Sequence, residues 1–400
     1  MASRGTSGLR LAIVTSHPIQ YQAPWFRGLA RQCDLHVFFA HRQSRSDQAL
    51  AGYGVEFDWD LDLTEGYAHE FLGNVAKHPS VYSFSGCDTP RLAQLIRRER
   101  FDALIVTGWY LKSYWQAIWA AQRARLPVLV RGDSQLATRR HPLKRLAKEV
   151  AYRWIVRQFD GFLSVGQRNA EYLRHYGAAA SRIYFVPHFV DAEFFRTRSR
   201  LTREQRAAER ACMGALPDDS IALFAGRFID FKRPLDLLHA VARLRADGAR
   251  FRAVFVGAGP LEQRIRDLAA QLAVPVSLLG FRNQSELPAV YAAADVLVLP
   301  SAAEETWGLV VNEGMCCGLP AVVSDAAGCA PDMIEHGRTG YTFPEGDVAA
   351  LAGALAASRT LLASSDLAAA LRAKSDEFSC ERAVAGAVEA LESVVTSRQK

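Results

Sequence analysis

The feature that most constrains this chain of 400 residues is its alternation of short, continuously apolar runs with longer helix-like segments. Leu11–Thr15, Leu35–Phe39, Asp102–Thr107, Val128–Arg131 and Gly161–Val165 are strand-length and largely apolar. Between them lie a helix opened by Pro24, a helix over Ser113–Arg123, and a helix over Asn169–Tyr176 that Gly177 stops. The pattern resumes with Ile221–Phe224, a helix from Pro234, Ala253–Val256, a helix over Leu261–Leu272, then Val276–Leu279, Val296–Leu299 and Ala321–Ser324. A run that is apolar at every position must be buried on both faces. That is the condition of a strand in a parallel sheet covered by helices on both sides. The expected class is therefore α/β, with two Rossmann-like, doubly wound domains facing a central cleft.

The polar stretch Arg196–Ser220, rich in Arg and Ala, is where the alternation pauses. It predicts a first domain over 1–195 and a second over 196–380. Residues 381–400 read as an amphipathic helix with Ala383, Val384, Ala387, Val388, Leu391, Val394 and Val395 on one stripe, packing back toward the first domain. The apolar runs are far shorter than the roughly 20 residues of a membrane span. The N-terminal residues read as a lead-in to a first strand, not as a signal peptide. Seven scattered cysteines without a CxxC pair predict reduced thiols and a cytoplasmic setting, not zinc or disulfides. A net charge of +6 suits an anionic ligand or an anionic membrane surface. No recognition motif accompanies it, so nucleic acid is not expected.

Ligands of doubly wound sheets bind outside the carboxyl ends of the strands, and three segments there carry chemistry. The first runs from Ser301 to Pro320 and contains Glu304, Glu305, Thr306, Trp307, Gly308, Leu309, Val310 and Glu313. It reads as a strand end, a loop with carboxylates, and a helix from near Gly308 to Gly318. The backbone N–H groups of Trp307 to Val310 are expected to face an anion, while Glu305 and Glu313 accept hydroxyls. A solvated loop charge and a dipole-favoured helix start are the plainer readings of these two residues. The second segment is Gly226-Arg227-Phe228-Ile229-Asp230-Phe231-Lys232-Arg233-Pro234. Two cations, Arg227 and Lys232, beside a helix start make a diphosphate site. The third, Gly257-Ala258-Gly259-Pro260-Leu261-Glu262, is a glycine turn that permits close approach of a nucleotide. Glu262 stands where a dinucleotide fingerprint needs its third glycine.

These segments resemble the retaining glycosyltransferases of family 4, which have the GT-B fold. The likeness runs through GRFIDFKRP, VGAGPLE, LLGFRNQSELPAVYAAADVLVLPS, EETWGLVVNEGMCCGLPAVVSD and GRTGYTF, about 130 residues in consistent order. It is looser in the first half, through FLSVGQRNAEYLRHYG and VPHFVD, where His188-Phe189 replace a common Asn-Gly. The resemblance implies a nucleoside-diphosphate sugar as donor, no metal and no other cofactor. It implies that Glu305 contacts the transferred sugar, Glu313 the ribose, and Arg227 and Lys232 the leaving diphosphate. Family members often carry a histidine where this chain has Asp133 or a neighbour, after Val128–Arg131. Asp133 is then either the sugar contact from the first domain or a turn-forming residue. On the acceptor side, His17, Gln20 and Tyr21 follow the first strand, with His17 able to orient an acceptor.

The implied acceptor is a sugar or a lipid-linked sugar of polysaccharide or glycolipid biosynthesis. The basic amphipathic stretch Arg139–Arg157, with Leu143, Leu146, Val150 and Trp154 on one stripe, fits either a core-packed helix or peripheral contact with the inner face of a membrane. Asp58-Trp59-Asp60-Leu61-Asp62 contains the Asp-x-Asp of a metal site in another glycosyltransferase fold, but its alternation reads as a strand edge. Two other functions fit a Rossmann pattern: an NAD(P)-dependent oxidoreductase, which needs the full glycine fingerprint, and a non-catalytic sugar-nucleotide-binding module.

Overall fold

The apolar runs do form parallel strands, and their order decides where a ligand can bind. The computed structural model describes residues 8–48, 56–137 and 142–399. The first sheet contains β1 (Arg10–Thr15), β2 (Asp34–Phe39), β3 (Ala68–Phe71), β4 (Ala103–Val106), β5 (Val128–Gly132), β6 (Gly161–Ser164) and β7 (Ile183–Phe185), in the order β3-β2-β1-β4-β5-β6-β7. The second contains β8 (Ser220–Ala225), β9 (Phe251–Val256), β10 (Val276–Leu278), β11 (Val296–Leu299), β12 (Ala321–Ser324) and β13 (Gly340–Phe343), in the order β10-β9-β8-β11-β12-β13. All named pairings are parallel. The strand order reverses between β1 and β4 in one sheet and between β8 and β11 in the other. At such a reversal the connections leave in opposite directions and open a crevice.

The strands absent from the sequence reading are β3, β7 and β13, all at sheet edges. None is continuously buried: β3 is exposed to half-buried, β7 is half-buried throughout, and β13 is buried only at its ends. β3 (AHEF) and β13 (GYTF) carry no unbroken apolar run, and β7 (IYF), though apolar, is only three residues long.

Three readings of loops and helices are corrected. Arg196–Ser220 is not merely a polar connection: it contains the helix Arg203–Cys212, opened by a reciprocal cap between Thr202 and Gln205. Arg210 pairs with Asp295 at 2.9 Å and Arg206 with the same carboxylate at 3.1 Å, fastening this helix to the second sheet's layer. The Asp58–Asp62 segment is not a strand edge but an irregular strap that reaches the second domain. The helix expected to start near Gly308 starts at Val310, and Gly308 lies in the loop with φ +107°.

Of the basic stretch, residues 139–141 and the side chains of 142–147, including Leu143 and Leu146, lie outside the described residues, as do residues 1–7. The rest of its stripe is not core: Val150 is 71% and Trp154 52% exposed, with the Trp154 ring stacked on Trp115 at 5.5 Å. Among the described residues no single helix is long and apolar enough to cross a membrane.

The last helix, Cys380–Gln399, returns from the second sheet to lie against helix Ala23–Ala30, β6 and β7. Ala383, Ala387, Ala390 and Leu391 are buried against Ile13, Trp25 and Leu163 of the first domain. The approach is close enough that a Cβ on Gly386 would meet the Phe185 carbonyl oxygen at 2.0 Å. Leu391→Ala, at a position 1% exposed, is expected to cost roughly 2–5 kcal/mol of stability. Glu392→Ala, on the exposed face, should be near neutral. Denaturant titration followed by tryptophan fluorescence checks the pair.

Candidate active site

The loops after β1 and β5 of the first domain meet those after β8 and β11 of the second in one cleft. The loop after β8 carries Gly226, Arg227 and Lys232, and ends at Pro234, which opens helix Pro234–Ala246. It is tied to the loop after β11 by the Ala302 amide, which donates to the Phe231 carbonyl at 2.7 Å. This brings Lys232 onto Glu305: the ammonium pairs with Oε2, which also accepts from the Ser301 hydroxyl at 3.1 Å. Both ionic side chains are nearly buried, at 12% and 11% exposure. A charge pair this far from water survives because the two charges meet directly and the carboxylate has a further hydrogen bond from Ser301. Arg227 is half-buried in the same loop and also engaged. It faces the first domain closely enough to interact with the Tyr82 hydroxyl.

The carboxylate and hydroxyl groups are held from across the cleft. The Thr306 hydroxyl donates to Asp133 Oδ2 at 2.8 Å. Gln135 Nε2 donates to the Ala303 carbonyl at 2.8 Å and to that of Glu305 at 3.0 Å. Burial works against the Asp133 carboxylate, but the neighbouring His188 ring and the hydrogen bond from Thr306 more than offset it and hold its pKa below the usual range. Asp133 is therefore an ionised acceptor at neutral pH, half-exposed in the cleft. Among the described residues, the amides of Gly308, Leu309 and Val310 donate to no other backbone group, and they front the loop beside Glu305. The Trp307 side chain instead serves packing: it is 4% exposed, stacks on His188 and Phe378, and donates from Nε1 to Asn312 at 2.9 Å.

Glu313 is 1% exposed, and both its oxygens are taken. Tyr21 from the first domain donates to Oε1 at 2.8 Å, and Tyr291 to Oε2 at 2.5 Å. Burial pushes its pKa up to about 7, against the two tyrosine hydrogen bonds that lower it. Gln20, Tyr21, Gly226, Gly257, Val310 and Glu313 line one pocket. Gly257 and Gly259 have φ of +131° and +156°, and a Cβ there would strike the Gly226 carbonyl at 2.0 Å and the Phe228 carbonyl at 2.6 Å. Their glycine requirement is thus set first by packing of the two loops, whereas a Cβ on Gly226 meets nothing within 4 Å. His17 is bonded through Nδ1 to the Ser16 hydroxyl at 3.0 Å. Burial, with repulsion from His41, lowers its pKa to about 4, so the ring is neutral. No group of three or more His, Cys, Asp or Glu side chains among the described residues is arranged to hold a metal ion.

Residues 205–376 match the family model for glycosyl transferases group 1, and residues 18–188 that for a glycosyl transferase 4-like domain. The chain belongs to the group 1 glycosyltransferases. It is 33% identical over 255 residues to the D-inositol 3-phosphate glycosyltransferase of Streptomyces bingchenggensis, covering 59% of this chain and 52% of that protein. The corresponding figures for a protein of the same name from Saccharomonospora viridis are 37% over 195 residues, 46% and 43%. The chain spans about half the length of the curated relatives it matches. HepE of Anabaena, solved in complex with UDP, superposes with a TM-score of 0.73 at 17% identity, covering 96% of this chain and 100% of that one. The fold is GT-B.

Relative to this family's acidic and basic pairs, sequence reasoning missed the roles of four residues. Gln135 clamps the Glu305 loop, and Arg168 joins it by donating to the Ala326 carbonyl at 2.7 Å. His188, 3.9 Å from Asp133, was visible only as a departure from Asn-Gly. Trp59 lines the Glu313 pocket, brought there by the strap. A single side chain acting across the cleft gives no periodic signal, so none of these roles stands out in the sequence.

The Glu313 shift has a definite sign. Between its ordinary value of 4.5 and about 7 the folded chain keeps a proton that the unfolded chain has released. Stability therefore falls as pH rises through that window. The stability of the wild type relative to Glu313→Gln is expected to decrease from about pH 5 to about pH 7.5, as read by urea denaturation at several pH values.

Proposed function

We propose that this chain is a retaining, metal-independent glycosyltransferase that moves a sugar from a nucleoside-diphosphate sugar to a hydroxyl of a sugar or lipid-linked sugar acceptor. The observation that carries this reading is the buried Lys232–Glu305–Ser301 cluster, set beside Arg227 at one switch point and roofed by Asp133 and Gln135 from the other domain. The names of the relatives, and the UDP of the HepE structure, support the donor class. The family models lend nothing to an oxidoreductase.

In this reading Arg227 and Lys232 take the diphosphate, drawing Lys232 partly away from Glu305. Glu305 then holds hydroxyls of the transferred sugar, and the amides of Gly308 to Val310 lie beside the phosphate charge. The ribose takes the place of the Tyr21 hydroxyl on Glu313. As the bond between the anomeric carbon and the phosphate oxygen breaks, its electrons pass to the leaving diphosphate, where fixed cations stabilise them. The acceptor oxygen bonds to the anomeric carbon from the same face, and its proton goes to a phosphate oxygen, so configuration is retained. Asp133 orients a sugar hydroxyl as an ionised acceptor, and neutral His17 borders the acceptor side, whereas Gln20 lies with Glu313 in the nucleotide pocket. The exposed Val150 and Trp154, with Lys148 and Arg153 on the same helix, support peripheral contact with an anionic membrane in glycolipid or polysaccharide synthesis.

UDP-, GDP- and ADP-sugars and NAD, each added in excess, are compared by thermal shift. One sugar nucleotide is expected to raise the melting temperature; a response to NAD alone overturns the reading. With the donor so found, Glu305→Gln is expected to cut transfer by about 100-fold or more while donor binding persists. Unchanged transfer removes Glu305 from its role.

A further inference from the structure

The strap Phe57–Asp60 belongs to the first domain but ends on the second. The Phe57 ring lies 4.3 Å from that of Phe281 at 35°, and 4.9 Å from that of Trp59, edge-on at 89°. Asn283 Nδ2 donates to the Asp58 carbonyl at 2.9 Å, and the Ser285 amide to Asp60 Oδ2 at 3.1 Å. These contacts fix the strap on the loop after β10 and hold the half-buried Trp59 as a wall of the pocket that also contains Gly226, Gly257, Gln284 and Glu313. Gln284 in that pocket is 5% exposed, and its Oε1 has no hydrogen-bond partner among the described residues. A buried carboxamide oxygen without a donor is costly in a native chain, and in a pocket it points to a ligand N–H.

We infer that Trp59 and Gln284 form a nucleobase clamp: the indole from the first domain covers the face of the base, and the carboxamide from the second domain binds its polar edge. The inference rests on the sugar-nucleotide reading and adds a specificity site to it. Ribose at Glu313 and diphosphate at Arg227 and Lys232 place the base at the far end of the same pocket, between Trp59 and Gln284. Each common base offers an aromatic face for stacking and an N–H on its edge. Because Trp59 comes from the first domain, binding the base also draws the two domains together, whereas binding a bare diphosphate does not.

The test compares the affinities of UDP, GDP, ADP and inorganic pyrophosphate for the full chain by calorimetry. Wild type should bind at least one nucleoside diphosphate more tightly than pyrophosphate. Trp59→Ala is expected to weaken that nucleotide by about tenfold or more, leaving pyrophosphate unchanged, and Trp59→Phe by less. Gln284→Leu should reduce the spread among the three nucleotides. Asp60→Ala, which removes one of the strap's three anchors without altering the pocket wall, should weaken nucleotide in the same direction, so the test survives if Trp59→Ala folds poorly. Nucleotide affinity unchanged in Trp59→Ala and Asp60→Ala overturns the clamp. So does an equal loss for nucleotide and pyrophosphate, which would make Trp59 a purely structural strut. A wild type that binds no nucleoside diphosphate overturns the donor reading itself, a result distinct from either.

Discussion

Strands buried on both faces can present polar chemistry only at their ends, and that constraint shapes this molecule. The interior of each sheet is filled largely by apolar runs such as Leu11–Val14 and Leu297–Leu299. Arg227, Lys232, Glu305 and Asp133 all lie in loops just beyond strand ends. The reversal of strand order at β1/β4 and β8/β11 makes those ends diverge, and the crevice so formed is the only place where two sheets can share a site. The return of helix Cys380–Gln399 to the first sheet ties the two layers covalently as well as by packing.

Within the crevice, the Glu305 loop has little freedom of its own. Its carbonyls accept from Gln135, its Thr306 hydroxyl is spent on Asp133, and its Trp307 is wedged between His188 and Phe378. Gly166 and Gly328 allow this closeness: a Cβ on Gly328 would meet the Thr306 carbonyl at 1.8 Å, and one on Gly166 the Trp307 ring at 2.5 Å. The bonds from Gln135 and the bond to Asp133 both span the two domains. The position of Glu305 is thereby coupled to the relation between the domains, as is that of Glu313 through Tyr21.

Much of this was legible in the residues. Both sheets, the Pro234 helix and the stripe on the last helix follow from patterns whose period matches the element. That the loops carrying Lys232 and Glu305 follow apolar runs was legible, but their pairing was not. Other parts were not legible, for identifiable reasons. β3 and β7 are edges with mixed burial, and Gln135 acts through one amide. Asp58–Asp60 has an alternation that mimics a strand, yet its neighbours Phe57 and Trp59 are drawn to Phe281 and a pocket more than 200 residues away in the chain.

The sequence by itself determined the α/β class, the two sheets and the loops that carry charge, because burial and period are local properties of the chain. Only the tertiary structure decided which partner each charge meets. It gave Lys232 and Ser301 to Glu305, two tyrosines to Glu313, and Thr306 to Asp133. It also turned an Asp-Trp-Asp stretch into a strap between domains. Such pairings depend on distances across the cleft, and those are set by how two independently specified sheets dock, which no local pattern encodes.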